Sequence, residues 1–155
     1  MDNLFISSYL ERLQDLQDSL NKAIEGLPDE AMDWEPGSEM NSIAVLLAHT
    51  AGSLRYWIGD GALGEPSGRV RENEFKTRGV SSQEMQRRLD SVFDYARSSL
   101  PRLTLEDLEE GTPLKWHDKP VSCGWTLLHA LEHGFLHLGH IQITRQLWMD
   151  KFKPA

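Results

Sequence analysis

The stretch from Trp125 to Met149 limits the fold more than any other part of the chain. Read at helical period it is apolar over much of its circumference, so it belongs at the centre of a helical assembly. It also carries four of the six histidines: His129, His133, His137 and His140. With His133 set to zero, ~100° per residue puts His137 at about +40°, His140 at about −20° and His129 at about −40°. The four therefore share one stripe about 80° wide. Four neutral imidazoles on one inward face would each need a hydrogen-bond partner, and a metal ion would account for two at once.

Three other segments show the same period. The first runs from about Asn3 to Ile24, with Leu4, Leu10, Leu13, Leu16, Leu20 and Ile24 at three- and four-residue steps, and stops at Gly26 and Pro28. The second starts at Asn41 or Ser42, both good N-caps, and runs to about Gly59. His49 lies midway along it, beside its apolar face. The third starts at Ser81 or Ser82, where Glu84 can complete a capping box with Ser81, and stops before Pro101. The expectation is one all-α domain over residues 1–155, a four-helix bundle. Long connections join helices 2 and 3 (with a short ordered excursion over VRENEFKTRG) and helices 3 and 4 (about Arg102 to Gly124). They leave the topology open, a crossover included.

Composition narrows the function classes. A formal net charge of −8 over 155 residues argues against a nucleic-acid backbone and against an anionic membrane surface as partner. The N-terminal residues lack a signal-peptide pattern, and no apolar run reaches the ~18 residues of a membrane span. A single cysteine, Cys123, excludes an intrachain disulfide. A cytoplasmic protein is the expectation.

Reach decides which histidines can share an ion. His133 and His137 are ~6 Å apart along the axis, close enough to converge, whereas His129 and His137 are ~12 Å apart. The pairs 129/133, 133/137 and 137/140 remain equivalent on spacing. Each needs a third ligand from another element, for which His49 is the obvious residue. His49 alone would read as an ordinary core histidine, and His117, in KWHDKP, as a solvated one. His129-Ala-Leu-Glu132-His133 also matches the H-x-x-E-H pattern of inverted zinc peptidases. The chain is short for a peptidase, and Glu132 reads more simply as an outer-shell or surface carboxylate. Trp57 is expected to wall the site, Cys123 to be passive, and Arg69, Arg71 and Arg78 to be surface charge.

Three stretches resemble the DinB/YfiT-like superfamily of four-helix-bundle proteins. They are NSIAVLLAHTAGSLRYWIGD, LHALEHGFLHLGHIQITRQLW and, more weakly, the loop DEAMDWEPG. Length and helix order agree as well. The resemblance implies that the metal ligands are His49, His133 and His137. The family's closing motif, His-Arg-Gly-Gln, reads His137-Leu138-Gly139-His140 here, so its Arg and Gln are absent and His140 takes the glutamine position. A homodimer is a further implication.

Three neutral imidazoles leave a coordination position open, the arrangement of catalytic rather than structural zinc. Imidazole ligands favour Zn²⁺ or Ni²⁺ over Mg²⁺ or Ca²⁺, with Fe²⁺, Co²⁺ and Mn²⁺ conceivable. Such an ion would either activate a low-molecular-weight thiol for transfer to an electrophile, as in some members of the resembling family, or serve a hydrolase through metal-bound hydroxide. In the second case His140, His129, Tyr56 or Glu132 would assist proton transfer. The third alternative is a non-catalytic, stress-related metal-binding module.

Overall fold

Each long helix begins at a side-chain cap that takes up one of its free amide hydrogens. In the computed structural model, which describes residues 3–152, Asn3 caps α1 (Leu4–Ile24) by accepting from the Ile6 amide. Ser42 caps α3 (Ile43–Arg55) through the Val45 amide, and Ser81 caps α5 (Ser82–Ser99) through the Glu84 amide. Ser122 caps α6 (Cys123–Lys151) through the Trp125 amide at 3.2 Å. The expected return bond from Glu84 gives way to competition, because its carboxylate takes Arg87 and Arg88 on the exposed face instead. Two short helices, α2 (Asp29–Asp33) and α4 (Arg71–Glu74), lie in the connections.

Cross-helix contacts give the directions. Tyr9 Oη donates to the Leu127 carbonyl at 2.9 Å, Leu16 packs on Gly134, and Arg145 donates to the Lys22 and Ala23 carbonyls. These pairs advance together along both helices, so α1 and α6 are parallel. Gln17 bonds Asp90 while Arg97 reaches back to Gln14, so α5 is antiparallel to α1. Trp57 meets Trp125 while His49 meets His133 and His137, so α3 is antiparallel to α6. The adjacent helices α3 and α5 are therefore parallel, and the segment between them is a true crossover. Leu13, Leu16, Leu20, Leu47, Leu54, Met85, Leu89, Phe93 and Leu127 fill the space between the four long helices.

Two parts differ from the sequence expectation. The second helix does not stop near Gly59 but continues as a π-helical stretch, Tyr56–Leu63, closed by Gly64 in the left-handed region at φ 66°. The wider turn seats Gly61 against Thr126 and Leu114, where an added Cβ would approach within 3.2 Å. The connection before α6 also holds an antiparallel hairpin, β1 (Gly111–Trp116) and β2 (Lys119–Ser122). His117 and Asp118 form its turn at φ 49° and 63°, the twist that a two-residue hairpin loop requires. The hairpin sets Trp116 over the N-terminal half of α6. No helix among the described residues is long and apolar enough to cross a membrane.

Candidate metal centre

Antiparallel packing of α3 on α6 brings His49 opposite His133 and His137. One ligand-capable atom from each of the three lies within 4.8 Å of the other two. The Nε2 atoms of His133 and His137 are 3.2 Å apart. A tetrahedral ion with nitrogen ligands at ~2.05 Å keeps them roughly 3.3 Å apart. The α6 pair already has that bite, and His49 offers a ligand atom within 4.8 Å of it from the facing helix. The residues present therefore fit a single divalent ion with at least one coordination position left open.

Burial sets the protonation state. It lowers the His133 pKa to about 3, helped by the neighbouring His137, His49 and His129 and by Arg69. The His137 pKa falls to about 4 for the same reason, with His49 and His140 adding to the effect. Burial also lowers His49, against the opposing pull of Glu74. All three are neutral at pH 7, the form that binds a metal.

The nitrogen of His49 facing away from α6 is not free. Its Nδ1 lies 2.8 Å from Glu74 Oε2, and Arg69 clamps the same carboxylate through Nε at 2.6 Å and Nη2 at 2.9 Å. Glu74 and Arg69 come from the crossover, where Arg69 was expected as surface charge; both are instead largely buried behind His49. Sequence reading missed Glu74 altogether. It is one of several acidic residues in a polar stretch, and only the fold of the crossover shows which one turns inward. His133 has no counterpart: its Nδ1 is buried with no partner among the described residues, so packing orients that ring.

The other candidates divide by position. His140 is exposed at the rim, its Nδ1 3.5 Å from His137 Nδ1. His129 sits among Trp57, Trp116 and Trp125, with ring centroids 4.6–4.9 Å away. Trp57 thus walls His129 directly and the three-histidine cluster through it. The Glu132 side chain is 82% exposed, with its carboxylate 3.9 Å from His129 Nδ1 on the solvent side. Tyr56 packs edge-on against Trp57 and lies under the Arg69 guanidinium. His117 is exposed in the hairpin turn. Arg71 covers Phe75, whose ring packs on His49, and Arg78 pairs with Glu35. Cys123 is buried beneath the π-helical stretch, 3.6 Å from the Ala62 carbonyl, and burial pushes its thiol up to about 11.

Comparison with known proteins agrees with this architecture. A conserved protein of Enterococcus faecalis superposes with a TM-score of 0.75 at 19% identity, covering 91% of this chain and 95% of that one. DinB-like proteins of Bacillus subtilis and Bacillus cereus each superpose with a TM-score of 0.69 at 16% identity, covering 90% of both chains. At these identities the likeness speaks for the fold alone. No curated protein matches in sequence. The family profile of the DinB superfamily matches residues 12–141, well over half of the sequence, and the chain belongs to that superfamily.

Proposed function

We propose that the chain holds one divalent ion, Zn²⁺ or Ni²⁺ by ligand type, through His49, His133 and His137, and transfers a low-molecular-weight thiol to an electrophile. The observation that carries this reading is the convergence of three neutral imidazoles with no anionic ligand among them. Such a donor set leaves the ion's full positive charge to act on an incoming group. A bound ion supplies Lewis acidity at its open position, where it lowers the pKa of a thiol. Glu74, the carboxylate that touches His49, is committed to Arg69 and His49 and does not compete for that position. Burial keeps the three rings unprotonated, and Phe75 shields one face of His49 from water.

The hydrolase alternative calls on a side chain that moves a proton. Glu132 points to solvent and Tyr56 packs against Trp57 and Arg69. Among the candidates, only the imidazoles His140 and His129 border the cluster, and His129 is enclosed by Trp57, Trp116 and Trp125. With no candidate carboxylate or phenol beside the open position, the ion prepares the nucleophile in either reading, and the resemblance to thiol-transferring members of the family decides for the thiol.

Elemental analysis of the purified protein and of His133→Ala tests the site. Near-stoichiometric metal in the first and loss in the second is expected; undiminished metal in the variant would overturn the ligand set. Turnover of model electrophiles by the metal-loaded protein, with and without a panel of thiols, tests the chemistry. Thiol-dependent conversion is expected. Ester or amide cleavage without thiol would install the hydrolase reading, and no turnover of either kind the binding module.

A further inference from the structure

Behind His49 lies a small construction for which the ligand set alone gives no reason. The Glu74 carboxylate is held at both oxygens, Oε1 by Arg69 Nε at 2.6 Å and Oε2 by Arg69 Nη2 at 2.9 Å and His49 Nδ1 at 2.8 Å. The side chains of Glu74 and Arg69 are only 10% and 13% exposed, so the pair has been taken out of water. Burying two charges is unfavourable unless geometry and extra hydrogen bonds compensate. Here the compensating bond goes to a histidine.

The helix opposite is shaped to admit that carboxylate. Gly52 follows His49 by three residues and so lies on the same face of α3. A Cβ at Gly52 would stand 2.0 Å from Glu74 Oε1 and 2.8 Å from its Cδ. Glu74 could give way there only by loosening its bonds to Arg69 and His49. Glycine inside a helix costs about 1 kcal/mol relative to alanine, and at this position it opens the space that the carboxylate occupies.

We propose that Glu74 is the positioning residue of the metal centre: clamped by Arg69 and admitted by Gly52, it holds His49 as the Nδ1–H tautomer and aims Nε2 at the ion. The role rests on the metal-binding reading above, but its first consequence belongs to the metal-free protein. A carboxylate can only accept, so the 2.8 Å contact needs Nδ1 as donor; Arg69 Nη2, 3.4 Å from the same nitrogen, gives its shorter bond to the carboxylate, and Nε2 is left bare. A ligand whose far nitrogen donates to a carboxylate is fixed in both tautomer and ring orientation. Arg69 acts one step further out, by satisfying the carboxylate so that it stays on His49 rather than turning to the ion itself.

Nitrogen-15 NMR of the histidine rings in the metal-free protein, together with Zn²⁺ affinity from competition with a chromophoric chelator, tests this. Wild type should show His49 as the Nδ1–H form. Glu74→Ala should mix the tautomers and weaken Zn²⁺ binding roughly 10- to 100-fold. Gly52→Ala removes no charge and improves helix propensity, yet should displace the carboxylate and reproduce both changes. Glu74→Gln, which retains an acceptor for Nδ1–H, should restore the tautomer and much of the affinity. A merely structural role would lower the thermal midpoint without moving the tautomer. An unchanged tautomer in Glu74→Ala and Gly52→Ala, or unchanged Zn²⁺ affinity despite a changed tautomer, would overturn the proposal. Should wild type bind no Zn²⁺ while the tautomer shifts as expected, the metal-binding reading falls and the control of His49 by Glu74 stands.

Discussion

Acidifying the metal-free protein should destabilise it well before its carboxylates titrate. His133 and His137 have pKa values near 3 and 4 in the folded protein, against 6.5 for an unperturbed imidazole. Between pH 6.5 and about 4 the unfolded chain therefore binds protons that the folded protein refuses. Stability is fully present above pH 6.5 and falls as the pH drops, with a limiting slope of about 1.4 kcal/mol per pH unit for each group. From pH 6.5 to 5, two such groups would remove up to about 4 kcal/mol. Both rings are only partly buried, so solvent screening brings this nearer 2 kcal/mol. His49 and His129, also lowered by burial, act in the same direction. Against a typical stability of about 5–15 kcal/mol the loss is large. Urea melts of chelator-treated protein at half-unit steps from pH 7.5 to 5 measure it, beside a double variant with His133→Gln and His137→Gln. The wild-type midpoint should fall steeply and that of the variant more gently. A flat wild-type profile, or identical slopes, would refute the burial argument and with it the claim that the rings stand ready as neutral ligands.

Two further perturbations test the frame around the site. Ser122→Ala removes the cap of α6 and should cost about 1 kcal/mol in chemical unfolding. Gly134→Ala adds a Cβ 2.5 Å from Leu16 Cδ2 at the α1–α6 contact. Overpacking of about 1–3 kcal/mol should outweigh the roughly 1 kcal/mol gained in helix propensity, giving a lower thermal midpoint; a rise would show that Leu16 yields freely.

The four long helices were legible because each buries one face, and burial at helical spacing leaves a period in the sequence. Leu13, Leu16 and Leu20, or Met85, Leu89 and Phe93, carry that signal plainly. The π-helical extension of α3 was not legible, since eight residues containing Gly59 and Gly61 have no distinct period. The hairpin was hidden for a related reason. Its strands are short, and Pro113 and Pro120 read as breakers. At the site, helical geometry confined four histidines to one face but ranked their adjacent pairs equally. The resemblance separated them, and the structure adds a physical difference. Trp116 from the hairpin and Trp57 from the π-helical stretch enclose His129, while His133 and His137 turn toward α3. Glu74 left no trace in the sequence because its role depends on the path of the crossover.

The parallel setting of α3 and α5, with α6 antiparallel to α3, also orders events in time. His49 and the α6 histidines are separated by more than half of the sequence, and no local hairpin of helices joins them. They meet only after the crossover has been laid down and α6 has docked between α1 and α3. Bringing residues so far apart together costs loop-closure entropy before any contact between them repays it. The cluster is thus poorly placed to guide the search for the native state. An ion gripped there would act chiefly as a latch, lengthening the lifetime of the folded molecule while leaving the speed of its formation nearly unchanged.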